Sequence, residues 1–120
     1  MTLATYSTSA VSTDISLVRQ LWSLPDVADG RNVIVNVEYF AIAANGKRIT
    51  GKMRRVFTVA SGTATAMAAQ IDPYLQKDSA GFPDNAIVIG ATGNDITVTA
   101  TGINGQGDTY WNAIITYGVV

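Results

Sequence analysis

Hydrophobic and polar residues alternate with a period of two along much of the chain, which is the pattern of half-buried β-strands. The longest alternating segment, residues 31–44, ends at Asn45-Gly46, a dipeptide that favours the tight turn of a β-hairpin. Residues 47–60 are then predicted to be the return strand of this hairpin. Gly51 within that strand is expected to mark a bulge or a close approach of two backbones.

Three further strands are predicted towards the end of the chain. The alternation is strict in DITVTAT, where Ile96, Val98 and Ala100 are expected to face inward. Between the hairpin and these strands, two of the three prolines indicate a long connection. The segments are a short strand or helical turn at residues 61–69, the connection at 70–85, strands at 86–91, 95–101 and 109–120, and a glycine-rich loop at 102–108.

Residues 15–24 fit two patterns. One stripe of a helix would carry Ile15, Val18, Leu21 and Trp22, whereas a strand explains the segment less cleanly from its own residues. Pro25 ends the element in either case. We interpret the segment as a strand because of a family resemblance described below.

About seven short strands separated by turn signals predict an all-β fold, with a single antiparallel β-sandwich or jelly-roll-like domain over residues 13–120. Residues 1–12 are rich in Thr, Ser and Ala and are predicted to form an extended N-terminal arm. The arm is either frayed or ordered against a neighbouring subunit. In the second case Leu3, Tyr6 and Val11 are the expected contacts.

The composition excludes several classes of protein. The chain has no cysteine or histidine, which removes disulfides, the usual zinc and haem ligands, and Ser-His or Cys-His catalysis. A net charge of −1 argues against an independent nucleic-acid binder. No signal peptide is expected in the first residues, and no apolar run is long enough for a membrane span.

Five of the eight basic residues fall within nine positions of the return strand, namely Lys47, Arg48, Lys52, Arg54 and Arg55. An extended strand places the side chains at 52 and 54 on one face and that at 55 on the other. Residues 56–120 carry five acidic groups and one basic group. The cluster is therefore a solvated hairpin edge, a contact with acidic loops of the same or another subunit, or a phosphate or sialic-acid site.

Carboxylates are the remaining candidates for chemistry. Asp72, Asp78 and Asp84 lie in the long connection and raise the alternatives of a glycosidase pair or a calcium site. Their spacing matches neither arrangement, and Asp residues in loops usually support turns. The sequence therefore predicts no enzyme, no metal site and no cofactor.

Aromatic residues could bind a sugar ring on an exposed face. Trp111 lies on the apolar side of its strand and is expected in the core, whereas Tyr110 points the opposite way. Tyr74 and Phe82 in the long connection are the other exposed candidates. The predicted receptor-contact set is completed by polar residues of the glycine-rich loop, Asn104, Gln106 and Asp108.

The order of these features resembles a small β-sandwich module of bacteriophage virion proteins. The resemblance covers about residues 12–120 and includes an opening Thr-Asp step, a strand closing on Pro-Asp, and a basic return strand. This sequence departs from the family pattern in the glycine-rich loop before Trp111 and at residues 82–85. The matching pieces are Ser12-Thr13-Asp14, Trp22, Leu24-Pro25-Asp26, residues 32–59, Ile96-Thr97-Val98, Thr101-Gly102 and Trp111-Asn112-Ala113-Ile114-Ile115.

The resemblance implies a non-enzymatic structural protein that is made in the host cytoplasm and located in the virion. The expected role is a capsid decoration or cement protein that binds the major capsid protein. The alternatives are a tail-fibre or tail-tip module that binds a host carbohydrate receptor among other tail proteins, and a small scaffold or host-modulating protein. A homo-oligomer is expected, a trimer in preference to a dimer, with no nucleic-acid or membrane partner.

Overall fold

The structure, a computed structural model, describes residues 3–79 and 81–120. These residues form nine β-strands and no helix, so the described parts contain no helix long and apolar enough to cross a membrane. The strands are β1 (Ala4–Ser12), β2 (Val18–Leu24), β3 (Asn32–Ala43), β4 (Arg48–Ala60), β5 (Thr63–Ala66), β6 (Gln76–Lys77), β7 (Ile87–Thr92), β8 (Asp95–Thr101) and β9 (Thr109–Val119).

The strands form two antiparallel sheets. The larger sheet has the order β1-β9-β3-β4-β5, with the short strand β6 added to β4, and the smaller sheet has the order β2-β8-β7. The prediction of an all-β antiparallel sandwich is confirmed. The strand count exceeds the expected seven because the N-terminal segment and two residues of the long connection also pair.

The core lies between the two sheets. In β3, Val33, Val35 and Val37 are fully buried, as the alternating pattern predicts. Ile96 and Val98 of β8 face them from the smaller sheet and are also fully buried. The inward and outward assignments made from these two strands are therefore confirmed.

Strand β2 contains the irregularity that made its sequence ambiguous. Its register against β8 shifts between Gln20 and Trp22, so Leu21 is an extra residue in a β-bulge. Both Leu21 and Trp22 are buried, whereas a regular strand with one covered face would bury only every second residue. The strand interpretation of residues 15–24 is confirmed for the part that forms β2.

The N-terminal segment differs from the expectation of a separate arm. Strand β1 pairs residue by residue with β9 over its whole length, from Ala4 opposite Tyr117 to Ser12 opposite Thr109. Ser12 is buried, and its hydroxyl accepts a hydrogen bond of 2.8 Å from the indole Nε1 of Trp111. The described part of residues 1–12 is therefore an edge strand of the sandwich, while Met1 and Thr2 lie outside the described residues.

Candidate interaction face

The larger sheet packs one face against the smaller sheet, and no described strand packs over its other face. We call this second surface the outer face. It consists of the odd-numbered side chains of β1 and the even-numbered side chains of β9, β3 and β4. Because these four strands are adjacent and in regular register, the outer face is broad and continuous.

Large apolar side chains occupy one end of the outer face. Tyr110 lies between Val11 of β1 and Ile42 of β3. Phe40 lies in the next row, and Ile114 lies in the row after that, where it borders the polar middle of the face. Phe40 is 44% exposed, and Tyr110 and Ile114 are each 50% exposed. A contiguous group of exposed apolar side chains on a folded domain commonly marks an interaction surface.

Polar and charged residues occupy the middle of the outer face. Glu38 lies directly opposite Lys52 across the β3–β4 pair, and Asn36 lies opposite Arg54. The Arg54 Nε donates a hydrogen bond of 2.8 Å to the Asn36 Oδ1. The two basic side chains at positions 52 and 54 therefore share one exposed face, as the period of two predicts.

Arg48 makes the contact between the basic strand and the acidic connection. Its Nε and Nη2 donate to the two carboxylate oxygens of Asp78, at 3.1 and 3.2 Å, and its backbone N–H donates to the same group at 2.8 Å. These bonds hold the pKa of Asp78 below its usual value and raise that of Arg48. Within the described residues, Arg48 alone of the five therefore makes a side-chain contact with an acidic residue of the same chain, of the kind that the second interpretation of the cluster describes.

The other basic candidates have separate environments. Arg55 points away from the outer face, where it donates hydrogen bonds to the carbonyls of Ala68 and Ile89 and lies over the Phe57 ring. Lys47 is half-buried beside the β3–β4 turn. The five basic residues therefore do not form one anion site, since only those at 48, 52 and 54 share the outer face.

Asp72 fastens the long connection to the larger sheet, a role that the sequence analysis missed. Its Oδ2 accepts a hydrogen bond of 2.8 Å from the Tyr39 hydroxyl, and its Oδ1 accepts one of 3.1 Å from the Lys52 backbone N–H. Burial and the Asp72 carboxylate raise the pKa of Tyr39 far above its ordinary value, so this phenol remains a donor. The sequence feature that indicated this contact is Gly51. A close approach does occur there, but it is between the side chains of Tyr39 and Asp72 and involves no bulge.

The acidic residues that suggested calcium are kept apart by different partners. Asp72 binds Tyr39, Asp78 binds Arg48, and Asp84 pairs with Lys77 at 2.8 Å. Within residues 3–79 and 81–120, no group of three acidic, histidine or cysteine side chains is placed to hold a metal ion.

Phe82 is not a surface residue, which corrects its assignment as a receptor contact. It is 1% exposed, and its ring packs edge-on against Trp111 with centroids 5.5 Å apart. The end of the long connection folds back onto the core here, and the Lys77 Nζ donates a 2.7 Å hydrogen bond to the Phe82 carbonyl. The turn-like surroundings of Phe82 in the sequence concealed this burial.

The remaining receptor candidates fall into two groups. Tyr110 is the second residue of β9 and lies close in the chain to the exposed loop residues Asn104, Gln106 and Asp108. The Gln106 side chain accepts a 3.2 Å hydrogen bond from Asn45 in the β3–β4 turn.

Tyr74 belongs to a different place on the molecule. It is 66% exposed and lines a groove of about 450 Å³ together with Ile71, Lys52 and Arg54. The predicted receptor set is therefore not one site, because the loop group lies near the apolar end of the outer face and Tyr74 beside its charged middle.

The predicted subunit contacts of the N-terminal segment lie on both sides of β1. Val11 belongs to the outer face, and Leu3, just before β1, lines a groove there with Ile114 and Thr116. Tyr6 points to the opposite side and is 46% exposed.

The chain was also compared with known proteins. No protein-family model matches it, and no curated protein is similar enough to be identified as a relative.

Proposed function

We propose that this protein is a non-enzymatic structural protein of a bacteriophage virion, acting as a capsid decoration protein that binds through the outer face. The observation that carries the proposal is the uncovered apolar end of that face. Phe40, Ile42, Tyr110 and Ile114 are all more than a third exposed, and they lie on three successive rows of the sheet. Covering such a surface with a partner removes apolar area from water and so lowers the free energy.

The polar groups of the domain support a structural role in preference to a catalytic one. The carboxylates of Asp72 and Asp78 are already bound to neighbouring donors, and Tyr39 is held in its neutral form. An acid–base catalyst needs a group that is free to exchange protons near neutral pH. The virion location rests on the resemblance of residues 12–120 to phage β-sandwich modules.

A binding experiment with purified capsids tests the proposal. Phe40→Ser with Ile114→Ser removes two apolar contacts from the outer face and should weaken binding to capsids at least tenfold. Val88→Ser is the matched control, because Val88 is an exposed apolar residue of β7 in the other sheet, and this variant should bind like the wild type. If the protein is missing from purified particles, or if both variants bind equally, the proposal is rejected.

A tail module that binds a host carbohydrate is the second candidate. The groove beside Tyr74 favours it, because an exposed aromatic ring lies next to two basic side chains, Lys52 and Arg54. An aromatic face stacks on a pyranose ring, and the basic groups suit an acidic sugar. Soluble protein that blocks phage adsorption, with the block lost in Tyr74→Ala and kept in Phe40→Ser, would favour this function over capsid decoration.

A further inference from the structure

Edge strands expose unpaired backbone groups, and three of the edges in this fold are protected. In β7, the side chain of Gln70 binds the carbonyl of Ile87 and the N–H of Ile89, and Arg55 binds the Ile89 carbonyl. In β2, a bulge and the charge of Arg19 interrupt the edge. Natural proteins use such features to prevent pairing with other chains.

The third protected edge lies on the far side of the larger sheet. There β5 is only four residues long, and the N–H of Ala64 donates to the carbonyl of Gly93. Beside it, Asp72 and the short strand β6 cover the edge of β4.

Strand β1 lacks these protections over most of its length. It is nine residues long, contains no charged residue and no proline, and pairs with β9 without a register shift. Among the described residues, a single side chain reaches its free edge, where the Arg19 Nε donates a 2.9 Å hydrogen bond to the Val11 carbonyl. The open part of the edge therefore precedes Val11.

The register of the sheet fixes which backbone groups of β1 face outward. Asn32 and Val120 exchange two backbone hydrogen bonds of 2.9 Å, so the even-numbered residues of β9 bond to β3 and the odd-numbered ones bond to β1. The partners of those odd-numbered residues are the even-numbered residues of β1. Hence Thr5, Ser7 and Ser9 direct both backbone groups to the free edge, where no described residue bonds to them.

We propose that β1 pairs with β1 of a second copy of this chain, antiparallel about a two-fold axis at Ser7. In this register Ser7 lies opposite Ser7 of the copy, and Thr5 lies opposite Ser9 of the copy. These pairs use all three open positions and form about six backbone hydrogen bonds. Moving the axis by one residue towards the C-terminus would place Thr5 opposite Val11, whose carbonyl is occupied. Moving it by one residue towards the N-terminus would place Ser9 opposite Leu3, which lies outside β1.

The side chains of β1 suit a two-fold partner. The two-fold axis pairs the strand with an identical strand, so a charge close to Ser7 would lie near its own copy, and β1 has no charged residue. On the side away from the outer face, Tyr6 lies opposite Thr8 of the copy and diagonal to the other Tyr6. The pairing therefore covers the exposed Tyr6 ring and joins two outer faces into one continuous sheet surface.

This inference rests on the geometry of β1 and not on the capsid role. A dimer that fails to bind capsids would reject the proposed function alone, and a monomer that binds capsids would reject the pairing alone. Light scattering on the purified full-length chain over a concentration series should give the mass of two copies. A mass of one or three copies at all concentrations would overturn the proposal.

Single cysteines test the register, since the native chain has no cysteine. In Ser7→Cys the two Cα atoms at the axis would be about 5.5 Å apart, which a disulfide can bridge. Ser9→Cys is a variant at another exposed site of the same strand. Its two Cα atoms would be about 13 Å or more apart along the strands, which is too far for a disulfide.

Mild oxidation should therefore cross-link most of the Ser7→Cys protein into a dimer and leave Ser9→Cys monomeric on a denaturing gel. Cross-linking of Ser9→Cys alone, of both variants equally, or of neither would each overturn the two-fold register. Ser7→Pro removes the outward N–H at a position where an edge strand tolerates proline, and should give a folded monomer. Retention of the dimer in Ser7→Pro would contradict the proposal as well.

Discussion

The Tyr39 hydroxyl reaches across Gly51 to the carboxylate of Asp72, 33 positions away in the sequence. Tyr39 lies directly opposite Gly51 in the β3–β4 pair, so its ring passes over the one residue there that has no side chain. The resulting hydrogen bond ties the long connection between β5 and β7 to the larger sheet. The groove beside Tyr74 is formed by the same connection, so this bond also positions one of the candidate binding surfaces.

Tyr39→Phe should lower the free energy of unfolding by about 1–3 kcal/mol, because Asp72 loses a hydrogen-bond donor beside a buried ring. Urea denaturation followed by circular dichroism measures the change. Tyr74→Phe is the control, since the Tyr74 ring is exposed and a surface change of this kind costs less than about 0.5 kcal/mol. Equal stabilities of the two variants would show that the Tyr39–Asp72 bond contributes nothing.

The raised pKa of Tyr39 also predicts a pH dependence. The unfolded chain ionises this tyrosine near pH 10, whereas the folded protein keeps it protonated to higher pH. The stabilisation is therefore complete below about pH 10 and is lost as the pH rises further. Urea denaturation between pH 8 and 11 should show a steeper loss for the wild type than for Tyr39→Phe, and parallel curves would contradict the assignment.

Gly51→Ala should destabilise the protein by about 1–3 kcal/mol, the usual cost of overpacking. A Cβ at this position would lie 2.7 Å from the Tyr39 hydroxyl and would overlap the Asp72 carboxylate. Gly90→Ala in β7 is the matched control, because its new Cβ would meet nothing closer than 3.6 Å. Thermal denaturation of both variants should show a loss for Gly51→Ala alone.

The double variant Gly51→Ala with Tyr39→Phe separates a clash from a general intolerance of side chains. If the hydroxyl is part of the clash, the two substitutions together should cost less than the sum of their separate costs. Strict additivity would mean that Gly51 is needed for some other reason.

Phe82→Ala should cost about 3–5 kcal/mol, the range for removing a buried aromatic ring. The ring fills space against Trp111, so the near-ultraviolet circular dichroism of the protein should change together with its stability. Tyr74→Ala provides the comparison from the same connection, with a small expected loss. A loss of receptor or capsid binding in Phe82→Ala without a loss of stability would restore Phe82 as a surface contact.

The sequence predicted best where one face of a strand is buried along its whole length. The strict alternation at residues 95–101 matches β8 residue for residue, and the predicted strand at 31–44 differs from β3 by one residue at each end. Burial at every second position follows from strand geometry alone, so local pattern is sufficient there.

Features that depend on distant partners could not be predicted in the same way. The bulge at Leu21 buries two consecutive residues and imitates a helical stripe. The N-terminal segment has too few apolar residues to show alternation. Its strand is held instead by backbone pairing with β9. Asp72 and Phe82 look like ordinary loop residues until the fold places Tyr39 and Trp111 beside them.

Ser12→Ala should lower the free energy of unfolding by about 1–3 kcal/mol, although it removes only one oxygen atom. Its hydroxyl accepts the hydrogen bond from the buried indole of Trp111, and without it that N–H has no described acceptor. Ser79→Ala, at an exposed turn, is the control and should change stability by less than about 0.5 kcal/mol.

Deletion of residues 1–12 should be more damaging than Ser12→Ala, because the pairing of β1 with β9 is lost as well. A truncated protein with wild-type stability in urea would mean that the segment is a detachable arm after all.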